Sequence, residues 1–366
     1  MIEPADDPFA FAEKLLAILD RGSFTSTYKY AVLLGLLDLA LEATARDGAP
    51  PTSVTTRQLA EKVVELYWPH TRDFGIGDVV AVLAQNSDRQ AALLNDIAKF
   101  RQAVGATASW SLFRARSDAA PKLWKRLLDA VEWKLVEMPL PRLQTIGGSS
   151  IRFLYEIGWS VDIKRSVFRS GSVSNVIAFQ RGAATHLVRL AGLVRPLIHR
   201  EWAACVAGFN GLPSARLEQF LFGSPDRSAL DAVRQPLADL QHGECFYCGT
   251  SISETAEVDH FVPWSRHPND AIENLVVAHG KCNNSKSDHL AACDHLDRWL
   301  TRNSSFGPEL SAVGSSLKWE SDAPMSIAVA RGIYSRLPQD HRLWAARPDV
   351  FTQIMHAEVD ALFAAV

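Results

Sequence analysis

Two short pairs of metal-binding side chains constrain this chain more than any other feature. Cys245-Phe246-Tyr247-Cys248-Gly249 sets two thiols around a two-residue gap, and His279-Gly280-Lys281-Cys282 sets an imidazole and a thiol around the same gap, 31 residues after Cys248. Thiolates so spaced converge on one ion because the turn between them is tight. A lone Cys-x-x-Cys is also the pattern of a redox pair. A second pair at this distance favours a structural Zn²⁺ held by Cys245, Cys248, His279 and Cys282, since imidazole is an ordinary zinc ligand. His242, His289 and Cys293 are competing fourth ligands, the last two four residues apart on an expected helix.

The wider composition fits that reading. Five cysteines are an odd number, and three of them fall within 38 residues, which argues against a disulfide framework. Cys205 and Cys293 read as buried thiols. A 366-residue chain has room for two or three domains at ~100–200 residues each. Its hydrophobic fraction of 47% excludes a disordered or collagen-like chain. The longest apolar run, Tyr30 to Leu37, ends at Asp38 and is far below the ~20 residues that span a bilayer, so no membrane partner is expected. The start, Met-Ile-Glu-Pro-Ala-Asp-Asp-Pro, is acidic where a secretory signal is basic, and a cytoplasmic location is expected.

A net charge of −3 conceals an asymmetry. Residues 100–200 carry 16 Lys and Arg against 6 Asp and Glu, whereas residues 1–99 carry 9 against 14 and residues 201–300 carry 7 against 14. A basic middle in an acidic chain suits a polyanionic partner. It suits equally a solvated face that pairs with its acidic flanks.

Periodicity predicts an α+β protein that is mostly helical. Helices are expected from Asp7-Pro8 to Gly22, from about Thr27 to Thr44, from a Thr55-Thr56 cap through Leu66, and after Gly77 to about Phe100. Residues 151–179 are dense in Val, Ile, Phe, Tyr and Trp and predict short strands broken at Gly158 and Gly171. Helices return at about 183–210 and 226–240, and a Ser/Gly-containing connection over 303–316 leads to a helical C-terminus. Four regions result: a helical scaffold or recognition region (1–145), a mixed basic region (146–240), a zinc-bearing domain (241–301) and a helical C-terminal region (302–366).

Between and after the ligand pairs run Val258-Asp259-His260-Phe261-Val262-Pro263-Trp264-Ser265, Asn274-Leu275-Val276-Val277-Ala278 and Cys282-Asn283-Asn284-Ser285-Lys286. Asp-His, Asn-Leu-Val and Cys-Asn-x-x-Lys, in this order within two ligand pairs, resemble an HNH endonuclease domain of the zinc-bearing ββα-metal (His-Me finger) type. The resemblance covers about 60 of the 366 residues, and the flanks resemble bacterial HNH domain-containing proteins. Asn274 and Asn283 lie 14 and 23 residues after His260, a spacing similar to that in the HNH domains of RNA-guided nucleases. Two features depart from the common pattern: the motif ends in Asn283 rather than His, and the second pair is His-x-x-Cys rather than Cys-x-x-Cys.

The resemblance implies a hairpin whose first strand ends at Asp259-His260 and a helix that starts near Asn283 and Lys286. Asp259 and Asn283 supply hard oxygens for Mg²⁺ or Mn²⁺. His260 is the general base, a task suited to imidazole. Asn274 fixes the loop and orients His260 by bonding backbone, Lys286 contacts a phosphate, and the products carry 5′-phosphate and 3′-hydroxyl ends. A domain this small has little sequence preference, so the remaining chain supplies targeting, and Arg165, Arg169 and Arg181 are its candidate DNA-binding side chains. The expected function is a metal-dependent endonuclease acting on duplex DNA, in restriction or phage defence, alone, as a homodimer or with a regulatory partner protein. The alternatives are a structured-RNA nuclease and a non-cleaving zinc-stabilised nucleic-acid-binding protein.

Overall fold

The computed structural model describes residues 7–21, 25–76, 79–87, 91–105, 110, 120–223, 227–252 and 256–366. The chain is α+β and mostly helical, and it divides into two compact units. The first comprises the described residues of 7–40, 50–110 and 120–223, the second those of 41–49 and 227–366. Among the described residues, no helix is long and apolar enough to cross a membrane.

In the first unit, α1 (Pro8–Arg21) begins where its cap predicts: Asp7 Oδ1 accepts the Phe9 amide at 2.9 Å, and Pro8 sits where no amide donor is needed. Helix α2 (Tyr28–Glu42) is apolar on nearly every side and is buried on nearly every side. Its one acidic interior residue, Asp38, is ion-paired with Arg195, itself fully buried. Strand β1 (Ser53–Thr55) leads into α3 (Thr56–Tyr67) through a capping box, in which Thr55 Oγ1 accepts the Gln58 amide and Gln58 Oε1 accepts the Thr55 amide.

The pattern after Gly77 is not one helix. Asp73–Ile76 (β2) and Val79–Val82 (β3) pair as an antiparallel hairpin, and α4 (Ala92–Ala103) starts ten residues beyond it. Val79, Val80 and Val82 are β-branched, and strand pairing suits them better than a helix. After α5 (Pro121–Glu137) comes a short hairpin of β4 (Thr145–Ile146) and β5 (Ser149–Ser150). The strands expected over 151–179 form as β6 (Tyr155–Ile157) and β7 (Val176–Phe179), with α6 (Arg165–Arg169) between them. They join β1 in an antiparallel sheet of order β1-β7-β6. The long helix α7 (Ala183–Asn210), which carries Arg195, and the short α8 (Leu217–Phe222) complete the unit.

In the second unit, α9 (Arg227–Leu240) lays Leu230, Val233 and Leu237 against Ile272, Leu275, Val277, Leu310 and Trp319. This core carries an antiparallel hairpin of β8 (Glu257–His260) and β9 (Leu275–Ala278), in which Asp259 is opposite Val276 and His260 opposite Leu275. Then follow α10 (Gly280–Lys286), α11 (Cys293–Ser305), α12 (Gly307–Leu317), α13 (Ala323–Tyr334), a hairpin of β10 (Arg342–Ala346) and β11 (Val350–Gln353), and α14 (His356–Ala364).

The expected connection over 303–316 is therefore helical. Pro308 suits a first helical turn, and Leu310 anchors α12 in the core. Gly314 packs closely, since a Cβ there would lie 3.1 Å from the Trp319 carbonyl oxygen. The C-terminal region is also not purely helical, because the β10–β11 hairpin interrupts it.

Candidate metal centre and nuclease site

The Cys245–Cys248 turn is closed by backbone bonds from Gly249 N to Cys245 O (2.9 Å) and from Cys245 N to Thr250 O (2.8 Å). Gly249 has φ +65°, a conformation that favours glycine, which explains its place after the second cysteine. His279 ends β9 as the N-cap of α10, and Cys282 lies in that helix's first turn. Turn and helix start bring the ligand atoms of Cys245, Cys248, His279 and Cys282 within 4.8 Å of one another.

Cys248 Sγ lies 3.3 Å and Cys282 Sγ 4.0 Å from His279 Nδ1. His279 Nε2 is 3.0 Å from the Ser251 carbonyl, so Nε2 carries the proton and Nδ1 is left as the donor to a metal. Against the upward push of burial, hydrogen bonds from Thr250, Cys245 and His279 hold the Cys248 thiol down at about 6. Burial and the neighbouring Cys245 and Cys248 push the Cys282 thiol up to about 12. Three sulfurs this close ionise together only around a cation, and the donor set fits one. The competing ligands stand apart: His289 packs edge-on against Phe351, Cys293 lies beside Glu358, and neither they nor His242 join the cluster.

Asp259 and His260 lie at the end of β8, both largely buried. Asp259 Oδ2 accepts from the Tyr247 hydroxyl at 2.5 Å and from Lys286 Nζ at 3.0 Å. His260 Nε2 lies 2.7 Å from Asp270 Oδ1, which sets the tautomer and leaves Nδ1 as the basic nitrogen. Asn274 is fully buried and fastens the loop between the strands: its Oδ1 accepts the Val262 amide at 2.9 Å, and its Nδ2 donates to the carbonyls of Val262 (3.2 Å) and Asn269 (2.9 Å). Asn283 Nδ2 donates to Glu257 Oε2 at 2.8 Å. Glu257 and Asp259 are two apart on β8 and share a face. Asn283 thus bridges from α10 to Glu257, two residues before Asp259 on the strand.

Lys286 departs from the expectation of a phosphate contact. It is fully buried, and its ammonium donates to the His260 carbonyl at 3.0 Å as well as to Asp259. Its charge is spent inside the fold, tying α10 to the end of β8. The arginines singled out in the basic segment lie in the first unit: Arg165 and Arg169 on α6, and Arg181 just before α7, all exposed. Three side chains escaped sequence reasoning: Tyr247, Glu257 and Asp270. Glu257 was marked by its i−2 relation to Asp259, whereas Asp270 reaches His260 only through the loop that Asn274 closes.

Flanking elements hold this arrangement in place. Tyr247 is caged edge-on by the rings of His295 (5.4 Å) and Trp344 (5.2 Å). Phe261 stacks on Trp299 at 4.8 Å, and the buried Arg302 guanidinium bonds the carbonyls of Leu275 and Glu273.

Comparison with known families agrees with this architecture. Residues 245–292 match the family model described as HNH endonuclease, so the segment that holds the four clustered ligands and the β8–β9 hairpin is a nuclease domain of the HNH type. Residues 10–220 match the family described as Domain of unknown function (DUF8808); this is more than half of the chain, and the chain belongs to that family. No curated protein and no solved structure matches the chain.

The Lys286 geometry yields a test. Lys286→Met keeps the stem but leaves Asp259 buried without its cation, and breaking a buried pair in this way costs about 3–5 kcal/mol. Urea denaturation should show a correspondingly lower midpoint; an unchanged midpoint would mean that the ammonium is not paired in solution.

Proposed function

We propose that the chain is a metal-dependent DNA endonuclease in which His260 activates water. The observation that carries this reading is the Asp270–His260 contact beside Asp259, at a strand end that Asn283 faces through Glu257. Asp270 holds the Nε2 proton, so Nδ1 is free to take a proton from a water aligned with phosphorus. Asp259, Asn283 and Glu257 would hold Mg²⁺ or Mn²⁺. Such an ion supplies positive charge for the phosphorane and the departing 3′ oxygen. Lys286 and Tyr247 hold Asp259 by Oδ2 and leave Oδ1 for that role. Asn274 keeps the loop, and with it Asp270, in register with His260.

The Cys245, Cys248, His279 and Cys282 cluster is assigned to a structural Zn²⁺, because four protein ligands leave no position for substrate. Arg165, Arg169 and Arg181 are assigned to phosphate contacts, which give affinity without sequence preference.

The metal assignment predicts that Cys248→Ser loses zinc and thermal stability together, since binding free energy is part of folding free energy in small metal sites. Zinc stoichiometry by atomic absorption and a melting curve on the same preparation check this; a variant that melts early with full zinc content contradicts it.

For the chemistry, plasmid nicking in Mg²⁺ and in Mn²⁺ should fall on the order of 10²–10⁴-fold in His260→Ala, with zinc content unchanged and the assay run below the melting temperature of both proteins, since Asp270 loses its partner. Asn283→Ala should lose cleavage much further than binding. A structured RNA run in parallel identifies the preferred nucleic acid. Nicking by His260→Ala at the wild-type rate would remove His260 as the base.

For the basic segment, Arg165→Glu with Arg169→Glu should weaken duplex binding across all sequences and flatten its salt dependence. Fluorescence anisotropy over a salt series measures both. Wild-type binding by the double variant would show that these arginines do not meet DNA.

A further inference from the structure

The first unit contains a cavity of about 730 Å³, within the size range of small-ligand sites. Its floor comes from α3 and α5, and its rim from α6 and the loop that leads into β7. Arg57, Asp129, Glu132, Trp133, Phe168 and Arg169 line it, and Lys125, Ser174 and Asn175 stand at its edge. The nuclease reading places Arg169 at its rim against duplex phosphates and leaves the aromatic wall of Trp133 and Phe168 without a role.

The charges of the floor are already matched. Arg57 is 2.5 Å from Asp129 and 2.8 Å from Glu132, Lys125 is 2.7 Å from Asp129, and Thr56 Oγ1 donates to Glu132 at 2.6 Å. The carboxylates therefore do not repel an anionic ligand. Arg169 differs from them, because it is exposed on the rim and makes no ion pair among the described residues. The aromatic wall consists of Trp133 and Phe168, with ring centroids 6.4 Å apart and planes inclined by 49°. Inclined rings give one flat partner a stacking face and an edge contact rather than a sandwich. Arg165 lies 5.8 Å over the Trp133 ring and adds a second cation beside this wall. Beside the rings, the Asn175 carboxamide and the Ser174 hydroxyl offer paired donors and acceptors.

We infer that this cavity binds a nucleotide, with its base against Trp133 and Phe168 and its phosphate at Arg169. A purely apolar ligand would leave the cation and the amide unused. A neutral sugar would not need the cation. A flat heterocycle carrying an anionic group uses all three features. The same chemistry is offered by a free nucleotide and by a nucleotide turned out of a strand.

The test uses the full chain and two probes. One is the set of common nucleoside 5′-monophosphates, each titrated by calorimetry. The other is a duplex with one unpaired nucleotide, compared with the fully paired duplex by fluorescence anisotropy. Trp133→Leu and Arg169→Ala are measured beside the wild type, with circular dichroism as the folding control; Arg169 is exposed, so its variant remains informative if Trp133→Leu fails to fold. The proposal expects at least one probe to bind and Arg169→Ala to weaken it tenfold or more, with Trp133→Leu doing the same. Binding confined to the monophosphates identifies a free nucleotide as the ligand, and a preference for the unpaired duplex identifies a strand. Binding of neither probe, or binding that Arg169→Ala leaves unchanged, overturns the proposal. Weaker binding of the fully paired duplex by Arg169→Ala is expected from the phosphate contacts alone, so the strand arm is read as the difference between unpaired and paired duplex and through Trp133→Leu, and the monophosphate arm is independent of the nuclease assignment.

Discussion

The crowding of three thiols and one imidazole within 4.8 Å organises the second unit. It joins a turn at residues 245–248 to the point where β9 becomes α10. From there a line of contacts runs inward. Tyr247, held inside the turn, bonds Asp259; Asp259 bonds Lys286; and Lys286 returns to the carbonyl of His260. Each member is buried and bonded, and a network of this kind is rigid only while every member is satisfied. The cluster thus reaches the strand end without touching it, through a tyrosine whose position is set by the two cysteines around it.

The hairpin itself depends on sequence far from the motif. All four residues of β9 are buried, and the side chains that cover Leu275 and Val277 come from α9 before the domain and from Leu310 and Trp319 after it. The C-terminal hairpin contributes Trp344, which closes over Tyr247 and bonds Ser285 through its indole nitrogen at 3.0 Å. The β10–β11 hairpin and α12 are therefore part of the nuclease scaffold, although they lie beyond the matched segment.

Local signals were legible and non-local ones were not. The two ligand pairs, the Asp259-His260 strand end and the Asn274 staple could be read because spacing along the chain encodes them. The caps at Asp7 and Thr55 and the long helix α7 were readable for the same reason. The hairpin at Asp73–Val82 was missed because its apolar run fits strand and helix alike, and only pairing decides. Residues 303–316 were misread because Ser and Gly weaken a helix by propensity, while burial of Leu310 and the tight fit at Gly314 outweigh that cost. Lys286 was misplaced because a lysine at a motif's end is ordinarily solvated, and nothing in its neighbours announces that Asp259 faces it. Asp270 stayed hidden because its partner lies across a loop.

Helix α10 has seven residues, and a helix that short does not persist in water without tertiary support. Yet it carries Cys282, Asn283 and Lys286, the anchor, the oxygen donor and the internal cation. These three arrive together or not at all. During synthesis, a ribosome must release the chain past residue 286 before the strand end can be completed. The site is thus assembled by the last segment of the domain to be made, although its first ligand, Cys245, is made 41 residues earlier.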